Sequence, residues 1–340
     1  MSRKGDLTTS AIDGLTLDDG MLFHDQRGRV RDLRPAPVPI ADTHGHLTSF
    51  RGHDPSLAIC RAALAGVRLL VVPVDPIDDV PHRFQNPQAF LDWLDDQVEQ
   101  AGEKLELYAR AGLVPPSFGP DVPDLVDDVR IVAGAHPYGA AELDSGALGR
   151  LEALLASPRC VGVGEIGLDF GPYNEIPADV QEEAFRPQLR VAHEHGLPVE
   201  LHIRDGVDDP ECSAHTLAAR VLFEEGVPEA GCDLHCFTQG PEVMAPFVEL
   251  GCHIAFGGAL TFSRSDDVRA AAVACPEDLL LSETDSPYMA PVPLRGEECE
   301  PAMVALTVDC LADVREAAGV AGRLETRTAL WENALNLFME

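Results

Sequence analysis

The pair His44-Gly45-His46 is the first place in the chain where residue type and spacing point to chemistry. It follows an apolar run over residues 38–42, and residues i and i+2 of an extended segment point the same way. Both imidazoles can therefore reach one metal ion. Ligand-type residues recur after later apolar runs. Glu165 closes a fourth run in Val163-Gly164-Glu165-Ile166-Gly167-Leu168-Asp169, between glycines that permit close backbone approach, and its two oxygens could bridge two ions. His202 ends a fifth run, His235 a sixth, and Asp285 follows the eighth in Ser282-Glu283-Thr284-Asp285-Ser286-Pro287-Tyr288. Any one of these could be a cap or a satisfied core residue. Six of them, each at the same end of its run, point to one metal centre.

The runs that must position them cover residues 38–42, 67–74, 129–135, 160–166, 198–203, 232–237, 253–256 and 278–282, and segments of helical spacing separate them. Eight short buried strands alternating with helices predict an α/β fold, a (β/α)₈ TIM-type barrel whose strand ends meet at one mouth. An open doubly wound sheet is the alternative, but no glycine-rich phosphate loop follows the first strand. Residues 1–37 read as an N-terminal extension with a short hairpin around 21–33, ahead of a barrel over 38–340. Residues 75–128 read as an insertion after the second strand, near the mouth. It would hold a helix near 87–102, an extra strand at 105–113 and a proline-rich loop. The last segment places Leu330, Ala334, Leu337 and Phe338 on one face of a helix packed on the barrel.

The 340 residues carry a net charge of −32 and only two lysines, Lys4 and Lys104. High-salt adaptation and arginine-rich codon usage both fit that balance. Either way it opposes long-range attraction to nucleic acid or anionic membranes, so a polyanion would have to be captured by local positive charge. No apolar run approaches the ~18 residues of a membrane span, and the start lacks a secretory pattern, which predicts a cytoplasmic protein. Nine scattered cysteines fit reduced thiols in a core rather than a disulfide framework. Cys232 and Cys236 flank His235, but without a second pair they read as buried thiols. His193 and His195 precede the fifth strand and fall at the opposite face from the mouth.

The motifs Asp42-Thr43-His44-Gly45-His46-Leu47, Gly134-Ala135-His136-Pro137, Gly164-Glu165-Ile166-Gly167-Leu168-Asp169, Leu201-His202-Ile203-Arg204, His235-Cys236-Phe237 and Glu283-Thr284-Asp285-Ser286-Pro287-Tyr288 occur in this order. With Arg295-Gly296 and Glu332-Asn333-Ala334, the chain resembles the TatD-related metal-dependent deoxyribonucleases of the amidohydrolase superfamily across residues 38–340. The resemblance implies two divalent ions (Zn, Mn, Mg or Fe). His44, His46, Glu165 and Asp285 would hold one, and Glu165, His202 and His235 the other. Two ions ~3.5–4 Å apart can activate a shared water and clamp a phosphodiester, with Asp285 as general base. Asp42 and Glu283 would orient a histidine ring or the water, although Asp42 could equally cap the following loop. Arg204, Arg295 and His136 would touch substrate, with surface ion pairs for the arginines and a structural hydrogen bond for His136 as the alternatives.

The implied activity is a phosphodiesterase or deoxyribonuclease acting on DNA. Hydrolysis of a small amide, ester or cyclic-amidine bond is the alternative on the same fold. Two departures bear on substrate choice. Cys299 stands where the family carries an asparagine, and Glu200 occupies a strand position that is usually apolar, with no evident partner.

Overall fold

Branched and leucine-rich runs bounded by glycine, proline or aspartate become strands, and a computed structural model arranges eight of them in one sheet. It describes residues 23–24, 27, 29–31, 34–110 and 112–339. The strands are β1 (Ile40–Asp42), β2 (Val67–Val74), β3 (Val129–Ala133), β4 (Cys160–Asp169), β5 (Val199–Arg204), β6 (Cys232–Leu234), β7 (His253–Phe256) and β8 (Leu280–Ser282). All neighbours pair in parallel and in chain order. The Thr43 amide donates to Ser282 O at 3.1 Å, the Asp285 amide to His44 O at 2.9 Å and the His46 amide to Ser286 O at 2.8 Å. These bonds join β8 to β1 and close the barrel, which removes the open-sheet alternative.

Nine helices surround it among the described residues: α1 (Pro55–Ala65), α2 (Pro87–Arg110), α3 (Ser145–Leu155), α4 (Ala178–His195), α5 (Ser213–Glu225), α6 (Pro241–Glu249), α7 (Asp266–Ala274), α8 (Val304–Ala317) and α9 (Arg323–Phe338). Their ends follow local chemistry. Asp54 accepts from the amides of Ser56 and Leu57 to start α1, Pro55 fits its first turn, and Gly66 at φ 100° ends it. None of the helices is long and apolar enough to cross a membrane, among the described residues.

The inner faces of the strands change character along the barrel axis. Ala41, Leu69, Val71, Val132, Ala255 and Leu281 form an apolar floor with Trp331, Ala334, Leu337 and Phe338 of α9. Asn333 Nδ2 locks α9 to the start of β8 by donating to the carbonyls of Glu277 and Leu280 at 2.8 and 2.9 Å. The C-terminal helix therefore plugs the amino-terminal end of the barrel.

Several expectations change. In place of the extra strand expected at 105–113, residues 105–110 form the last turns of α2. Leu105 and Leu107 mimic strand alternation, but Phe90, Leu94, Val98, Ala101 and Tyr108 continue one buried helical face. The proline-rich loop does not approach the mouth. Arg68, at the start of β2, donates to Pro116 O and lies over the Phe118 ring, which holds that loop at the floor end. Among the described residues of the insertion, the first part, around Asp75 to Arg83, lines the mouth. β4 runs on to Asp169, with a register irregularity between Val163 and Ile166, so Glu165 projects from within a strand rather than from its end. Phe23–His24 and Val30–Arg31 pair antiparallel as the expected hairpin; residues 21–22, 25–26, 28 and 32–33, and most of 1–37, lie outside the described residues.

Candidate metal centre

The ligand-type side chains meet at the mouth of the barrel, Glu165 from within β4 and the others from β5 or just after β1, β6 and β8. His44 Nε2 and His46 Nε2 lie 3.2 Å apart, and Asp285 Oδ1 stands 3.9 and 3.7 Å from them. Glu165 Oε1 faces the same rings at 3.8 and 3.5 Å. Its other oxygen, Oε2, faces His235 Nε2 at 3.2 Å and His202 Nδ1 at 3.3 Å, and these two nitrogens are 3.0 Å apart. Tetrahedral bonds of about 2.0–2.1 Å place ligand atoms roughly 3.3 Å from one another, so both groups have the spread of atoms sharing an ion. All six expected residues converge, and Glu165 belongs to both groups.

Backbone geometry makes this possible. A Cβ on Gly164 would stand 2.6 Å from Glu200 Cβ, and Gly167, at φ 141°, lies against the His202 carbonyl. Asp285 sits at φ 53°, a left-handed conformation that aspartate tolerates; its amide bonds to His44 O, and its carbonyl accepts from Tyr288 N at 2.8 Å.

The partner that the sequence could not name for Glu200 is His44. Glu200 is wholly buried and its Oε1 lies 2.9 Å from His44 Nδ1. Asp169 Oδ2 holds His202 Nε2 in the same way at 3.0 Å. A carboxylate at the far nitrogen keeps the ring proton there and leaves the other lone pair free for a cation. Asp42 and Glu283, expected to orient a ring or the water with loop capping as the alternative for Asp42, bond Thr284 and Cys236. Asp42 accepts from Thr284 N at 2.8 Å and Thr284 Oγ1 at 2.7 Å; Glu283 accepts from Cys236 N at 2.6 Å. The ring-orienting role of Asp169 was missed, although its even spacing from Glu165 along one strand was a usable signal.

Burial sets the charge states. It lowers His44 and His46 to about 4 and His136 and His235 to about 3, so these rings are neutral donors at ordinary pH. His202 differs: burial opposes its charge, but the hydrogen bonds it donates to Asp169 and Glu165 outweigh that and lift it to about 9, so a cation binding at Nδ1 would have to displace the proton there. Burial likewise opposes charge on Glu165, yet the surrounding histidines hold it well below the usual carboxylate range. Burial and neighbouring Glu165 push Asp285 well above that range.

A cleft of about 790 Å³ opens over these groups, and His46, His136, Glu165, His202, Arg204, His235 and Asp285 are among its walls. His136 Nδ1 accepts from Tyr138 N at 3.1 Å, which puts the proton of the neutral ring on Nε2, 3.9 Å from Glu165 Oε2. It therefore points a donor into the cleft rather than a lone pair. Arg204 lies on the wall with its guanidinium 5.6 Å from the Tyr173 ring centre. Arg295 is not part of the lining; its guanidinium lies 4.1 Å from the Phe262 ring centre instead. Cys232 is buried in the barrel wall as expected, but Cys236 lines the cleft, at φ 49°. His193 bonds Gly226 O at 3.1 Å and His195 pairs with Glu152 at 3.0 Å, both away from the centre.

A family model described as TatD related DNase matches residues 41–339. The chain belongs to that family. A TatD-family relative from Bacillus subtilis, named an uncharacterized metal-dependent hydrolase, YabD, is 30% identical over 260 residues, covering 76% of this chain and 97% of its own. A protein of Cronobacter turicensis named 3'-5' ssDNA/RNA exonuclease TatD is 37% identical over 160 residues, 47% of this chain and 57% of its own. Among solved structures, the TatD homologue YjjV of Escherichia coli superposes with a TM-score of 0.65 at 26% identity, over 88% of this chain and 97% of that one.

Proposed function

We propose that this metal-dependent hydrolase of the TatD family cleaves phosphodiester bonds in single-stranded nucleic acid, using two divalent ions. The observation that carries the reading is the division of labour within Glu165, one oxygen toward His44 and His46 and the other toward His202 and His235. The donor set fits such ions: four rings neutral through burial or held by a carboxylate at the far nitrogen, and two carboxylates. Mixed imidazole and carboxylate donors suit Zn, Mn, Mg or Fe. Bound there, the ions would acidify a shared water and offset charge developing on the phosphoryl oxygens.

The chain's own groups supply the remaining steps. Asp285 takes the proton of the attacking water and stands beside the His44–His46 pair. His136 donates its Nε2 proton to a phosphoryl oxygen, and Arg204 binds phosphate from the cleft wall. The exonuclease name of the Cronobacter relative supports a single-stranded end as substrate. Nine unpaired cysteines suit a reducing compartment, the cytoplasm.

One observation favours a small amide, ester or cyclic-amidine substrate: Asp75, Asp78, Asp79 and Glu142 line the outer cleft, where they repel a polyanion. Incubating the protein with a labelled single-stranded oligonucleotide and Mg²⁺ or Mn²⁺ separates the two. Cleavage that Asp285→Asn abolishes is the expected result. An intact oligonucleotide with every metal tried would overturn the nuclease reading.

A further inference from the structure

The chain has four tyrosines. Tyr108 is buried under α1, and the other three line the one cleft over the metal centre. They are also among the exposed large side chains of the protein: Tyr138 47%, Tyr173 76% and Tyr288 49% exposed. Each is anchored to the chemistry. The Tyr138 ring stands edge-on to His136 with centroids 4.5 Å apart. The Tyr288 ring stands edge-on to His46 at 6.1 Å. Tyr173 carries the Arg204 guanidinium over its ring. Planar groups bound next to a phosphate at the metal centre would meet these rings first.

The charges around them decide what kind of binding this is. Of the two cleft arginines, Arg83 is engaged by Thr48 O at 2.7 Å and by Asp79 and Asp78 at 3.6 and 3.8 Å. Arg204 remains to meet phosphate, while four carboxylates line the outer cleft. Away from the ions and the phosphate they would hold, Coulomb attraction for a polyanion is therefore weak, and stacking is the contact left to add affinity for the rest of a strand.

We propose that Tyr138, Tyr173 and Tyr288 form a stacking platform for the bases beside the scissile phosphate, so that single strands are selected by their unstacked bases and held with little dependence on salt. This rests on the nuclease reading above. Duplex ends, whose bases remain stacked on one another, cannot use the platform until they fray.

The test compares an oligothymidylate with an abasic strand of the same length, measuring cleavage by the metal-loaded full chain and binding by fluorescence anisotropy. Binding and KM should favour the base-bearing strand by roughly 5- to 100-fold. Tyr173→Ala should bring the base-bearing strand toward the abasic value, and Tyr173→Phe should restore the preference. With about one phosphate contact, the KM for oligothymidylate should rise only about threefold between 50 and 200 mM salt. A protein that neither cleaves nor binds either strand overturns the nuclease reading. One that cleaves both strands with the same KM, or whose Tyr138, Tyr173 and Tyr288 alanine variants match the parent, overturns the platform alone. A steep salt dependence would likewise show that charge, not stacking, holds the substrate.

Discussion

The same eight strands make the floor of the barrel and its mouth, and the two ends follow opposite rules. At the floor, Leu69, Val71 and Leu281 pack on Trp331, Leu337 and Phe338 in an apolar cluster. Further along the same strands, Asp42, Glu200, Asp233 and Glu283 lie fully buried, and oxygens of Glu200, Asp233 and Glu283 lack hydrogen-bond partners. Burial raises all four well above their ordinary range, Asp42 to about 8. The mouth is thus expensive to fold, and the floor and outer helices must offset it. Stability and chemistry occupy different ends, as the barrel architecture permits.

Changes at the mouth should therefore silence activity without unfolding the chain, and changes at the floor should do the reverse. Glu165→Gln should lower activity by more than about 10³-fold, the scale of losing a principal charge-stabilising group, with an unchanged circular dichroism spectrum. A modest loss would show that the two donor groups work independently. Glu200→Ala should weaken binding of one divalent ion by about 10- to 100-fold in calorimetry, with Glu200→Gln closer to the parent because its amide oxygen can still accept from His44. Leu337→Ala should cost about 2–5 kcal/mol in urea unfolding while leaving kcat/KM in place. Lost catalysis there would mean that the ends are coupled.

The ends should also answer pH differently. Asp42 and Asp75 have folded-state values raised from 3.8 to about 8 and about 7, so the folded chain holds protons that the unfolded chain releases. Their contribution is fully present below pH ~4 and is lost as pH rises through 7 and 8. The four buried neutral histidines act in the opposite direction, so the carboxyl contribution is read by difference: in metal-free protein Asp75→Asn should lose less stability than the parent between pH 5 and pH 8.5, by thermal melting at both values. The smallest effect belongs to Arg295, whose alanine variant should stay within about twofold of the parent for oligonucleotide cleavage. Arg204→Ala should lose about 10-fold or more.

The barrel and the converging ligands were legible because both depend on periodicity. His44 and His46 after β1, His202 in β5 and His235 after β6 fall at the same end of their strands, and that end is written in the apolar runs. What escaped depends on contacts between distant segments. Glu200 looked like an unpaired buried charge because its partner, His44, lies 156 residues away. Arg295 was placed at the mouth from its position after β8, yet its loop turns it onto Phe262. The proline-rich loop was assigned to the wrong end because loop length says nothing about direction; the anchoring of Arg68 on Pro116 and Phe118 decides it. The final turns of α2 were read as a strand because Leu105 and Leu107 alternate locally.

The seam between β8 and β1 joins residues 239 positions apart, Thr43 and Ser282. During synthesis, His44 and His46 emerge early and wait for Asp285, which is delivered only by the last strand. Loop closure over that span is among the slowest contacts the chain can make. The donor group of His44, His46 and Asp285 is therefore assembled at the moment the ring shuts. Cation capture by that group would register the completion of folding as much as readiness for chemistry.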